Sequence, residues 1–196
     1  MLAGLTGKPI AMTGRLGSGP ALGPKTAQSS DMPSILFVCT ANICRSPMAE
    51  AIFKAKLAEW GPEAARAFST VASAGVNADP RGGPIDARAA AALQRKGYEV
   101  ARKWRSRRFD IEADFNRYDH VLVMEEDHLA ALRRKAGAER AAKAQLLLNF
   151  APGLQGREVP DPYFGPATGF DAVIELIEQA VGGLGAAWRE GRLAGR

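Results

Sequence analysis

The chain has 196 residues, of which 46% are hydrophobic and 24% charged, with a net charge of +5. That suffices for one ordinary domain with a real core, and it is too little positive charge for a nucleic-acid-binding stripe. No apolar run approaches the ~18 residues a membrane-spanning helix needs. Cys39 and Cys44, only five positions apart, make no disulfide framework and suit a reducing compartment such as the cytoplasm.

Residues 1–32 are rich in Gly, Pro, Ser and Thr, lack aromatics and show no period. Gly4, Gly7, Lys8 and Pro9 interrupt the apolar character of Leu2 to Ile10, so a signal peptide is poorly supported. This stretch reads as a disordered extension or an ambiguity of the translation start. One domain is expected over 33–190, with 191–196 as a tail. Ile35-Leu36-Phe37-Val38 is a short continuous apolar run, the pattern of a strand buried on both faces. Ser46-Pro47 reads as an N-cap followed by proline at the first helical position. Phe53, Leu57 and Trp60 continue at helical spacing, and Gly61-Pro62 is expected to stop the helix.

Phe68 to Val71 reads as a second strand entering Ser73-Ala74-Gly75, and Asp86 as the cap of a helix ended by Gly97. His120 to Met124 reads as a buried strand followed by a helix through about Arg134. His128 is expected on its solvated face. Leu146-Leu147-Leu148 is a shorter strand, and Ile174, Ile177, Val181 and Leu184 mark a closing helix weakened by Gly182, Gly183 and Gly185. Strands alternating with helices predict an α/β fold, a single doubly wound parallel sheet with helices on both faces. Ligands in such sheets sit beyond the carboxyl ends of the strands, which points to the loop after Val38.

That loop reads Cys39-Thr40-Ala41-Asn42-Ile43-Cys44-Arg45-Ser46-Pro47. A loop leaving a buried strand and entering a helix gathers backbone N–H groups toward one point. The helix N-terminus adds partial positive charge, so the site favours a dianionic phosphate. A cysteine at its floor has its thiolate stabilised by the same field. Arg45 can grip two phosphoryl oxygens with its planar guanidinium, and Ser46 can donate its hydroxyl to the sulfur. Thr40, Ala41, Asn42, Ile43, Cys44, Arg45 and Ser46 are thus the expected phosphate-binding residues. Far along the chain, Val159-Pro160-Asp161-Pro162-Tyr163 is a stiff stretch able to present one carboxyl.

The segment from Val38 to Glu50 resembles the signature loop of the low-molecular-weight protein tyrosine phosphatases. The likeness extends through Ser73-Ala74-Gly75, Tyr118 to Met124 and Asp161-Pro162-Tyr163-Phe164-Gly165 to the last helix. The resemblance implies a four-stranded, flavodoxin-like sheet and hydrolysis of phosphotyrosine monoesters through a phosphocysteine. Cys39 would be the nucleophile, Arg45 the phosphate clamp and Asp161 the general acid. Tyr163 and Phe164 would form the wall against a phenyl ring, and Cys44 would be either a redox partner of Cys39 or a packing residue. Asn42 would brace the loop. Ala41 stands where many relatives carry glycine, and Trp104 stands where a histidine often belongs to the network behind the loop.

No metal or cofactor is implied. The expected partners are a phosphotyrosine-containing protein and inorganic phosphate as product, with no nucleic acid or membrane, acting as a monomer or weak dimer. The basic cluster Arg102, Lys103, Arg105, Arg107 and Arg108 reads as a solvated face able to dock acidic substrates. Two relatives share the fold. Arsenate reductases need further relay cysteines, which this chain lacks. Protein arginine phosphatases typically carry threonine where this chain has Ile43.

Overall fold

The first strand, β1 (Ser34–Cys39), is buried at every position, as its unbroken apolar run requires. The computed structural model describes residues 32–195 apart from Ser69 and Ala194, so all but the last residue of the stretch expected to be a disordered extension lies outside the described residues. β1 pairs in parallel with β2 (Thr70–Gly75) on one side and β3 (His120–Val123) on the other. A short β4 (Ala144–Leu146) pairs with β3, giving the order β2-β1-β3-β4 in one four-stranded parallel sheet.

Helices cover both faces. Ile35 and Phe37 point to a core shared with α1 (Arg45–Glu59), α3 (Ala87–Arg95) and α7 (Thr168–Arg189). Leu36 and Val38 point the other way, to a core shared with α4 (Ile111–Arg117) and α5 (Glu126–Ala136). This two-residue alternation is the strand period expressed as two cores. The chain runs from β1 to β2 and then returns past β1 to β3. The crevice between the carboxyl ends of β1 and β3 is therefore the topological switch point, where such sheets bind ligands.

Several elements differ from the sequence reading. α1 begins at Arg45 with Cys44 as its uncapped N-cap, so Ser46 lies inside the first turn rather than capping it. Its hydroxyl is used elsewhere, as described below. Gly61-Pro62 does not only end α1; Pro62 opens a further short helix, α2 (Pro62–Ala67). Leu147 and Leu148 leave β4 and enter a 3₁₀ turn, Leu147–Phe150. A four-residue α6 (Ala138–Ala141) completes the set.

Two of the α7 glycines let neighbours approach closely, while Gly182 faces open space. A Cβ added at Gly183 would lie 1.7 Å from the Phe150 carbonyl oxygen, and one at Gly185 2.3 Å from the Trp60 ring. The described end of the chain also packs back, with Leu193 buried against the same core. No described helix is long and apolar enough to cross a membrane.

Candidate active site

The loop between β1 and α1 forms the floor of a cavity of about 310 Å³ lined by Cys39, Thr40, Ala41, Ile43, Cys44, Arg45, Asp161, Tyr163 and Phe164. The structure thus brings together both distant motifs. Asn42 and Ser46 stand behind the loop rather than in the cavity. Asn42 takes the left-handed backbone conformation (φ 55°), which asparagine tolerates better than most residues. Ala41 has no positive φ, so alanine there carries no strain of that kind. Gly75, at the end of β2, runs directly beneath the loop. A Cβ there would meet the Thr40 oxygen at 2.6 Å and the Asn42 nitrogen at 2.8 Å.

A chain of buried hydrogen bonds supports the sulfur. Cys39 Sγ lies 3.0 Å from Ser46 Oγ. Asn42 Nδ2 donates to Ser46 Oγ at 2.8 Å and to Ser73 Oγ at 2.9 Å. Because Ser46 accepts from Asn42, its own proton is available for the thiolate or for the Ala74 carbonyl at 3.2 Å. Ser73 Oγ donates to Glu50 Oε2 at 2.6 Å, and Trp104 Nε1 donates to the same oxygen at 3.2 Å. The indole thus donates into the network, and no buried side-chain polar atom among the described residues is left without a partner. Asn42 Oδ1 accepts from the Arg107 amide at 2.9 Å, tying the 104–108 segment to the loop.

Arg45 is 1% exposed and lies between two carboxylates. Nη1 contacts Glu125 Oε1 at 2.8 Å and donates to the Val159 carbonyl at 2.9 Å, while Nη2 donates to Asp161 Oδ2 at 2.9 Å. A buried guanidinium needs such partners, since an unpaired buried charge is strongly destabilising. Asp161 is partly exposed, and its Oδ1 accepts the Tyr163 amide at 3.1 Å. Tyr163 is 41% and Phe164 93% exposed, an aromatic pair with free surface at the cavity mouth.

Glu125 and His128 escaped the sequence reading. His128 is not on a solvated face: it is 3% exposed at the start of α5. The cause is topological, because the first turn of α5 faces the loop across the switch point. Its Nδ1 accepts the Glu125 amide at 3.2 Å, so the ring proton sits on Nε2, facing Thr40 Oγ1 at 2.9 Å and Glu125 Oε2 at 3.3 Å. Glu125 in turn caps α5. The signal was its position at the carboxyl end of β3.

Burial, and next the Arg45 charge, hold the His128 pKa below its ordinary value of 6.5. The unfolded chain therefore binds this proton at a pH where the folded chain does not, and stability falls as pH drops below that value. The variant His128→Gln is expected to flatten this loss, read as the urea midpoint between pH 7 and 5.

In the basic cluster, Arg107 pairs with Asp114 at 2.8 Å and Arg108 Nε donates to the Ala78 carbonyl at 2.9 Å; Arg102, Lys103 and Arg105 are exposed.

A family model described as low molecular weight phosphotyrosine protein phosphatase matches residues 34–192. The chain belongs to this family. Among its phosphatase relatives is the low molecular weight protein-tyrosine-phosphatase of Streptomyces coelicolor, 42% identical over 159 residues that cover 80% of this chain and 93% of that one. The human low molecular weight phosphotyrosine protein phosphatase is 32% identical, covering 72% and 87%. A crystal structure of a protein tyrosine phosphatase from Entamoeba histolytica superimposes with a TM-score of 0.74 at 31% identity, covering 82% and 99%. An arginine phosphatase from Geobacillus stearothermophilus follows with a TM-score of 0.68 at 31% identity, covering 82% and 96%. The phosphatase fold alone thus accommodates both named activities, and the site must distinguish them.

Proposed function

We propose that this phosphatase hydrolyses phosphotyrosine in proteins through a phosphocysteine, with Cys39 as nucleophile, Arg45 as clamp and Asp161 as general acid and base. The observation that carries the reading is one cavity lined by the sulfur, the guanidinium, the carboxyl and an exposed aromatic wall. In the free site Arg45 Nη2 binds Asp161. An arriving dianion takes that donor for an equatorial oxygen, while Nη1 stays on Glu125 and Val159. Asp161, released from the cation, is then free to face the departing oxygen as the general acid.

The Cys39 thiolate attacks phosphorus in line. The P–O bond to the phenol breaks as Asp161 protonates the departing oxygen. Asp161, now a carboxylate, takes a proton from water, which attacks the phosphocysteine. The P–S bond breaks, inorganic phosphate leaves, and the thiolate returns with Ser46 as its hydrogen-bond partner. Arg45 and the amide-lined loop at the head of α1 stabilise the charge on the equatorial oxygens in both steps.

Ile43 in the cavity lining favours an aryl ring over a guanidinium, which has five N–H donors to satisfy. The redox role for Cys44 draws little support. Its burial, and then the nearby Asp86, Cys39 and Asp161 charges, push its pKa up to about 12, so it stays a protonated thiol at neutral pH. Two free cysteines fit a reducing, cytoplasmic setting. The test is a panel of phosphotyrosine, phosphoserine and phosphoarginine peptides under reducing conditions with a chelator. Phosphotyrosine is expected to be turned over fastest; preference for phosphoarginine would overturn the assignment.

A further inference from the structure

One arginine on α3 ties the two halves of the site together. The Asp86 amide donates to the Ile43 carbonyl of the phosphate loop at 2.8 Å. The Asp86 side chain caps α3 and grips Arg88, accepting from Nε at 3.1 Å and from Nη2 at 2.9 Å. The remaining Arg88 nitrogen, Nη1, donates to the Tyr163 carbonyl at 2.9 Å. Its guanidinium carbon lies 5.2 Å from the Tyr163 ring centre and 5.0 Å from that of Phe170, within cation–π range of both. Tyr163 is thus held at its carbonyl by Arg88 and at its amide by Asp161 Oδ1.

We propose that Arg88 is a positioning residue for the general acid, holding the Asp161–Tyr163 segment and its aromatic wall over the phosphate loop. The inference rests on Asp161 being that acid. The contact between Asp161 and Arg45 orders the free site, but it is given up when Arg45 Nη2 turns to phosphate, at the moment the carboxyl must be in place. Arg88 itself does not line the phosphate cavity, so its bond to the Tyr163 carbonyl does not have to be given up to the arriving phosphate. Upstream, Val159 is fixed by its amide to the Met124 carbonyl at 2.9 Å and by Arg45. Downstream, the exposed Tyr163 and Phe164 gain little from packing, so the hydrogen bond and stacking from Arg88 carry the orientation. Arg88 keeps its fork fixed because Asp86 occupies the other two nitrogens, an arrangement lysine cannot reproduce.

The test compares the full chain with R88M, R88Q, D161N and the two double variants on aryl phosphates from phenyl to 2,4-dinitrophenyl. R88M is expected to lower kcat/KM for phenyl phosphate about tenfold more than for the dinitrophenyl ester, with vanadate inhibition unchanged. In the D161N background R88M should change the rate by less than about twofold, since a residue acting through the acid has nothing left to position. R88Q, which keeps a donor and loses the charge, carries the same comparison if R88M does not fold. Equal losses across leaving groups, or additive losses in the double variants, would make Arg88 a general strut and overturn the inference. A D161N enzyme with no leaving-group dependence of its own would remove the acid assignment, and the inference with it.

Discussion

Asp161→Ala lowers kcat for phenyl phosphate by about 100-fold or more, and for 2,4-dinitrophenyl phosphate by less than about tenfold. The difference arises because phenolate is a poor leaving group that needs a proton as the P–O bond breaks, whereas dinitrophenolate leaves unaided. Asp161 lines the cavity with Cys39 and Arg45, and its carboxylate is partly exposed. Glu125, the other carboxylate on Arg45, is engaged in capping α5 and contacts His128, so it does not replace the lost acid. Removing Asp161 also removes one of the two anions paired with Arg45, so phosphate competes less for the guanidinium. Inhibition by inorganic phosphate should then tighten or stay constant, even as turnover falls. Steady-state kinetics with the two esters separate these effects.

Cys39→Ser abolishes turnover, with a loss on the order of 10⁴-fold or more. The hydroxyl is almost wholly un-ionised at neutral pH, and the hydrogen-bond partner it inherits, the Ser46 hydroxyl, is no base. Cys44 cannot substitute, because its raised pKa keeps it protonated. The binding apparatus remains intact: Arg45, the loop and the helix N-terminus do not depend on the sulfur. Phosphate or vanadate should therefore bind the variant with near-normal affinity in calorimetry. A variant that neither turns over nor binds would mean that the cysteine shapes the loop rather than attacking phosphorus.

The sheet and its central strand were legible because β1 carries its burial in local composition, and so was the loop that follows it. Asp86 as the cap of α3 and Gly97 as its stop were likewise written in adjacent residues; Asp86 accepts from the Arg88 amide and Gly97 has φ 79°. The short helices α2, α4 and α6 were not legible, since four to seven residues hold too few turns to impose a period. Asp110 caps α4 through the Ala113 amide, a signal present in the sequence but weak alone.

Within the site, Cys39, Arg45 and Asp161 could be picked from motifs. Ser46 was expected to cap its helix, yet the helix starts two residues earlier than that reading and the hydroxyl turns to the sulfur. Glu125, His128 and Arg88 acquire roles only through topology. β3 lies beside β1, so its carboxyl end delivers Glu125 to Arg45, and α3 lies where Arg88 reaches the acid segment. Such contacts span 80 or 75 residues of sequence and leave no local trace.

The sulfur's role is tested most directly by rapid acid quench of the enzyme turning over an aryl phosphate, followed by mass mapping of the phosphorylated peptide. A phosphoryl group on the peptide containing Cys39, formed within one turnover and absent from Cys39→Ser, is the expected result. Phosphate release at full rate with no labelled cysteine, or with label on Cys44, would contradict it.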